Sequence, residues 1–255
     1  MTTEKKYIRS RNLFNPNSDK PFKLSRSKIQ LYLDCPRCFY LDRREGVNRP
    51  PNFPLTINNA IDALLKREFD IYRNAKKAHP IMEQEGIDAI PAQHKELYKW
   101  RNNFVGIHYV DPKTNLHIHG AIDDLWQDNN GYIIVDYKAT AREENIDDSK
   151  PLPNSYRNQM DIYQWLFKMN NHKVNKTGYF LYFNGNVHKP DFKNTLEFKP
   201  TLVPYPGNSE WIDKNINEIY RCLNSDITPK PSKSCIYCKY VTASKEVLTK
   251  QGKLI

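Results

Sequence analysis

GAIDDLWQDNNGYIIVDYKAT, residues 120–140, is the stretch that decides the fold. Its halves, GAIDDLW (120–126) and GYIIVDYKAT (131–140), flank Asp128-Asn129-Asn130-Gly131, a pattern that predicts two strands joined by a turn. Side chains alternate along a strand, so Asp136 and Lys138 share one face while Tyr137 points away. With Asp123 opposite on the neighbouring strand, two carboxylates and an ammonium would converge. Carboxylate oxygens suit Mg²⁺ or Mn²⁺. A lysine beside them could steer an attacking water and balance charge on a phosphate. Asp-x-Lys also occurs on solvated hairpins. Here, though, Asp136 ends the apolar run Tyr132-Ile133-Ile134-Val135, typical of a buried strand, where a charge points to function.

Outward from this hairpin, the N-terminal side reads as helical. SRSKIQLYLDCPRCFYLDRR (25–44) starts on a serine cap and breaks at Pro36. After the proline-rich Arg49–Pro54 segment, LTINNAIDALLKREFDIYR (55–73) sets Ile57, Ile61, Leu64, Leu65, Phe69 and Tyr72 on one face of an amphipathic helix. A short helix is expected within 92–104, then strands near 105–110, 116–126 and 132–139. The polar loop 140–154 precedes a helix over 155–170, a strand over 177–185, a strand with a proline bulge over 195–205 and a helix over 209–225. The order predicts an α/β fold, a central mixed sheet flanked by helices.

At 255 residues the chain can bury a sizeable core. It has no apolar run of membrane-spanning length, and its basic start has no apolar h-region, so an intracellular protein with no membrane partner is expected. Lys plus Arg number 39 against 29 Asp plus Glu, a net charge of +10 that favours a polyanionic partner. Sixteen tyrosines and four tryptophans add stacking surfaces.

Gly120-x-Ile122-Asp123, Asp136-Tyr137-Lys138 and Gln159-x-x-x-Tyr163 occur in the order seen in RecB-type nucleases, so the chain resembles the PD-(D/E)XK superfamily. Cys35-Pro36-Arg37 near the start and Cys235-x-x-Cys238 near the end extend the likeness to its iron–sulfur branch, which includes CRISPR-adaptation and AddB-like nucleases. The resemblance covers roughly residues 25–240. It implies a restriction-endonuclease-like core and Mg²⁺- or Mn²⁺-dependent cleavage of DNA, at ends or in single strands. Outside that range, the lysines and arginines of the first residues predict a basic arm over 1–24, and 241–255 is expected as a tail. By the resemblance, Asp123 and Asp136 are metal ligands, the Tyr137 carbonyl completes the shell, and Lys138 positions or activates water. Gln159 and Tyr163, four apart on one helix face, hold the lysine, the water or the DNA backbone. Asp124 is a rival ligand, but alternation turns only one of the pair inward and the spacing from Gly120 favours Asp123. The family usually carries a histidine on the early helix. Asn58-Asn59-Ala60-Ile61-Asp62 lacks it, and Asp62 could take its place. His108, His117 and His119 lie on expected strands and read as hydrogen-bonding residues.

Cys35-x-x-Cys38 and Cys235-x-x-Cys238 form a second constellation, four thiolates able to complete a Zn²⁺ or a [4Fe–4S] site that joins the two ends of the chain. Relatives in the iron–sulfur branch supply one cysteine before the nuclease motifs and three after. This chain supplies two and two, so Cys38 would fill the vacancy and zinc competes. Unrelated reduced cysteines or a redox motif are the alternatives. Cys222 sits within an expected helix. Besides a nuclease, the sequence allows a nucleic-acid-binding module without turnover, or a metal-stapled protein whose basic surface meets an acidic partner.

Overall fold

The computed structural model describes residues 8–51, 56–144, 146 and 150–252. Among the described residues the elements are β1 (Phe22–Ser25), α1 (Arg26–Asp34), α2 (Pro36–Arg43), α3 (Thr56–Ala75), α4 (Pro80–Gln84), β2 (Ile90–Pro91), α5 (Leu97–Trp100), β3 (Ile107–Val110), β4 (Leu116–Gly120), β5 (Asp124–Asp128), β6 (Gly131–Thr140), α6 (Asn154–Met169), β7 (Thr177–Gly185), β8 (Phe198–Pro206), α7 (Ile212–Asn224) and α8 (Ile236–Lys250). The chain is α/β, as expected, and divides into two units. One comprises residues 1–52, 110–117 and 213–255; the other comprises 53–109 and 118–212.

The second unit is built on a five-stranded sheet in the order β2-β5-β6-β7-β8. Only β6 and β7 run parallel, because α6 carries the chain from one to the other; the remaining neighbours are antiparallel. The expected hairpin is β5–β6, with Trp126 opposite Ile133 and Asp128 opposite Gly131. Asp128 Oδ1 accepts from the N–H groups of Asn130 and Gly131 and closes the turn. Gly131 takes φ 133°, a conformation that favours glycine. The expected strand over 116–126 is split: β4 ends at Gly120 and β5 begins at Asp124, so residues 121–123 lie outside either strand.

Strand alternation divides the hairpin between two helical layers. Ile133, Val135 and Tyr137 pack with Trp126, Leu65 and Phe69, the last two from α3. Phe69 stacks on Trp126 with ring centroids 5.6 Å apart. The even-numbered residues Asp136 and Lys138 meet α6. The apolar face of α3 is narrower than the spacing implied. Leu65 and Phe69 are buried, but Ile57 and Leu64 are 60% and 59% exposed. They flank the stripe that touches the sheet rather than lying on it. No bulge interrupts β8. Its register against β7 is continuous from Gly185–Phe198 to Thr177–Pro206, and an edge strand tolerates Pro200, Pro204 and Pro206 because it lacks a second neighbour.

In the first unit Pro36 opens α2 directly after Cys35, which closes α1, so the expected break is a helix–helix junction. Phe39 is fully buried there and meets Tyr32 edge-on at 5.4 Å. Asp42 is also fully buried, and Arg9, Lys28 and Arg43 neutralise it. Ile216, Ile219 and Leu223 form the buried stripe of α7. Residues 1–7 of the expected basic arm and 52–55 of the proline-rich segment lie outside the described residues.

Phe69→Ala should cost about 3–5 kcal/mol of stability in urea unfolding, as loss of a packed core ring does. Leu64→Ala, five positions earlier on the same helix but exposed, should change it by less than about 0.5 kcal/mol.

Candidate active site and cysteine cluster

Asp123 immediately precedes β5, and Asp136 and Lys138 lie near the end of β6. The Tyr137 N–H donates to Asp123 Oδ2 at 2.9 Å, which turns that carboxylate toward the strand end. Asp136 is 1% exposed. Its Oδ2 pairs with the Lys138 ammonium, and its Oδ1 accepts from Gln159 Nε2 at 2.6 Å. Gln159 Oε1 in turn accepts from Lys138 Nζ at 3.3 Å, and Gln159 Nε2 reaches the Tyr163 hydroxyl at 3.1 Å. The ring of Tyr156 lies under the same ammonium, 4.3 Å from its centroid. Thus Asp123, Asp136, Lys138, Gln159 and Tyr163 are brought to one place, with the helix residues four apart on the inner face of α6.

α3 completes the group. Asn58 Nδ2 donates to the Ala139 carbonyl at 2.9 Å, tying the start of the helix to the end of β6. One turn on, Asp62 Oδ2 lies 2.8 Å from Lys66 Nζ, and that ammonium lies 3.6 Å from Asp123 Oδ1. Asp62 is therefore near Asp123, with a lysine beside both.

These neighbours set the ionisation of the site. Burial, followed by the charge of Asp136, raises Asp123 from an ordinary 3.8 to about 6, against the pull of Lys66, Lys138 and the Tyr137 N–H. Burial and then the Asp123 charge push Asp62 up as well, although Lys66 opposes them. Burial alone would lower Lys138, but the charge and hydrogen bond of Asp136 outweigh it and hold the lysine above its usual value. Lys138 thus stands as an ammonium paired with Asp136.

Tyr137 and Asp124 turn to the opposite face. Asp124 is fully buried, and its carboxylate receives the Tyr137 hydroxyl at 2.7 Å, Arg101 Nη2 at 2.5 Å, its neighbour's Leu125 N–H at 2.8 Å and the Arg73 guanidinium. Arg73 and Arg101 also share Asp70, and Arg73 Nε reaches the Ala92 carbonyl at 2.7 Å. The sequence motifs name none of these three partners, nor Lys66. The signals were present only as an i,i+4 spacing of Asp62 and Lys66 and an i,i+3 spacing of Asp70 and Arg73, which many surface helices share. His108 lies on β3, and His117 and His119 lie on β4, the latter directly before Gly120.

The cysteines gather in the first unit. Cys35 precedes α2 and Cys235 precedes α8, while Cys38 and Cys238 lie in the first turns of those helices. Both pairs therefore sit at helix N-termini, where unsatisfied N–H groups and the helix dipole favour thiolate. All four sulfurs lie within 4.8 Å of one another and could hold a metal ion. The separations are 3.9 Å for Cys35–Cys238, 3.6 Å for Cys38–Cys235 and 3.6 Å for Cys38–Cys238. Around them, the Ser232 N–H donates to Cys35 Sγ at 3.4 Å, and Arg49 Nη2 to Cys235 Sγ at 3.6 Å. Burial raises the Cys35 thiol, but donation from the Cys38 and Ser232 N–H groups and the neighbouring thiols outweighs it and brings it down to about 6. Cys222 is half-buried on α7, outside the cluster.

The profile of the PD-(D/E)XK nuclease superfamily matches residues 56–243. That is most of the chain, and the chain belongs to this superfamily. Among solved structures it resembles the crystal structure of SSO0001, with 16% identity over 86% of this chain and 84% of that one and a TM-score of 0.36. No curated protein matches it significantly. No helix among the described residues is long and apolar enough to cross a membrane.

The raised Asp123 carboxyl makes a stability prediction for metal-free protein. The folded state holds this proton more tightly than the unfolded chain, so the carboxylate costs nothing below about pH 4 and an increasing amount as the pH rises toward about 6. Asp123→Asn in EDTA should therefore stabilise the protein at pH 7.5 by on the order of 2 kcal/mol and leave it unchanged near pH 4, as read by urea unfolding at the two pH values.

Proposed function

We propose that this protein is a divalent-metal-dependent deoxyribonuclease, acting on DNA ends or single strands. The convergence of Asp123, Asp136 and Lys138 with Gln159, inside a domain of nuclease ancestry, carries the reading. The donor set is right for Mg²⁺ or Mn²⁺: hard carboxylate oxygens, with the Tyr137 carbonyl within the same strand segment. A cation held by Asp123 and Asp136 would polarise the scissile phosphate and make water a better nucleophile. Lys138 orients the attacking water through an N–H and offsets charge on the phosphate oxygens. Gln159 fixes both partners of that pair, since its amide oxygen accepts from the lysine while its amide nitrogen donates to Asp136. Tyr163 holds Gln159 in turn. The positive charge of the chain supports DNA as the partner.

Labelled single-stranded and duplex DNA incubated with Mg²⁺ or Mn²⁺ should be cut, and EDTA should stop the reaction. Asp136→Asn should lower the rate by roughly 10²–10³-fold or more, the several kcal/mol that a lost ion contact represents. Equal rates for wild type and variant would overturn the reading. Salt-sensitive DNA binding without cutting under any divalent ion would make the protein a binding module on a nuclease fold.

We further propose that the four cysteines hold one structural Zn²⁺ rather than a four-iron cluster. Zinc–thiolate bonds of about 2.3 Å in a tetrahedron set the sulfurs about 3.8 Å apart, which the separations of 3.6–3.9 Å support. A four-iron cluster places each thiolate on its own iron and would spread the sulfurs to roughly 6 Å. Purified protein should be colourless, with one zinc per chain by elemental analysis. A brown sample containing iron and acid-labile sulfide would reject zinc. Removal of the ion should lower the thermal midpoint, because the ion links residues 203 positions apart in the chain.

A further inference from the structure

The site contains a second ammonium that none of its motifs includes. Lys66 projects from α3, and its Nζ lies 2.8 Å from Asp62 Oδ2 and 3.6 Å from Asp123 Oδ1. Lys138 pairs with Asp136. Asp123 and Asp136 thus each have a lysine, one supplied by the helix and one by the strand. An i,i+4 lysine–aspartate pair on a solvated helix contributes about 0.3–0.5 kcal/mol and needs no further explanation. Lys66 differs in two respects. Its ammonium also reaches a carboxylate on another element, and its side chain is only 22% exposed, close to the 17% of Lys138. A charge so placed is screened less than a surface lysine.

The balance of charge gives this placement a consequence. Asp62, Asp123 and Asp136 are three negative charges, and Lys66 and Lys138 return two. A divalent cation then leaves the group net positive, which suits a phosphodiester anion. Without Lys66 the same group would be neutral. Asp62 faces Lys66 directly, in position to aim its ammonium.

We propose that Lys66 is a catalytic residue that contacts the scissile phosphate, with Asp62 the positioning residue that aims it. This rests on the nuclease reading above. In the reaction, the water oxygen forms the new bond to phosphorus and gives up a proton to solvent. The bond to the leaving sugar oxygen breaks, that oxygen keeps the electron pair, and it is protonated from solvent. Lys66 stays protonated throughout and stabilises the charge that builds on the phosphate oxygens.

The test uses the full chain, a labelled single-stranded oligonucleotide, single-turnover cleavage in Mg²⁺, and binding in Ca²⁺ over a range of salt. Lys66→Ala should cut about 10²-fold more slowly. Its binding should lose about 0.7 from the slope of log affinity against log salt, the signature of one phosphate contact on a single strand. Lys66→Arg should recover most of the slope and part of the rate. Asp62→Asn should slow cleavage less than Lys66→Ala and leave the half-saturating Mg²⁺ concentration unchanged. Thermal unfolding reports whether each variant folds, and Lys66→Arg carries the test if Lys66→Ala does not. Wild-type cleavage with an unimpaired, folded Lys66→Ala overturns the role of Lys66 alone. So does an Asp62→Asn that needs several-fold more Mg²⁺ while Lys66→Ala cuts normally, since Asp62 would then be an ion ligand. A wild type that neither cuts nor binds overturns the nuclease reading itself.

Discussion

The arrangement of the second unit depends on one buried ion cluster, the Asp124 carboxylate held by Arg73 and Arg101. A carboxylate with no exposed surface must be paired and hydrogen-bonded, or it would be neutral or expelled. Asp124 gains two guanidiniums, a backbone N–H and the Tyr137 hydroxyl. Those partners come from α3, from the segment just after α5, and from β6. The contacts therefore lock one helix, one loop and both hairpin strands in register. The site on the opposite face follows from that register. With Asp124 and Tyr137 turned one way, Asp123 and Asp136 are turned the other.

The front of the hairpin has the opposite character. Its carboxylates repel one another, and Asp123 is pushed up to about 6 by burial and by Asp136. Lys66 and Lys138 soften that repulsion without removing it. At this face the fold gives up stability, whereas the rear cluster does not. The rear cluster satisfies its charges internally, whereas the front keeps acceptor oxygens that a metal could use. Gln159 connects the front to α6 by bonding both members of the Asp136–Lys138 ion pair, its amide nitrogen donating to the carboxylate and its amide oxygen accepting from the lysine.

The cysteine cluster solves a different problem by similar means. Two helices begin at their cysteines, and each places one thiol before the helix and one in its first turn. N–H groups at those termini, together with Arg49, offset the charge that four thiolates would bring together. The unit that contains them is assembled from three separate stretches of chain. A link between the first and last of these limits the entropy of its unfolded state.

The amino-acid sequence by itself determined the β5–β6 hairpin, the α6 helix with Gln159 and Tyr163 on one face, the break at Pro36 and the pairing of the cysteines. Each of these follows from local rules: turn chemistry, strand alternation, helical period and the two-residue spacing within each cysteine pair. Alternation also separated Asp123 from Asp124. The exposure of Ile57 and Leu64 was not legible, because periodicity marks an apolar stripe but not the width that a sheet will cover. Nor was the continuous register of β8, whose prolines are tolerated only because it lies at an edge. Tertiary structure alone decided that Arg73 and Arg101 meet on Asp124 and that Lys66 reaches Asp123, since these contacts join elements 23–57 positions apart. A charged residue carries no local sign of its partner. Only packing, which removes water from around it, requires that a partner be there.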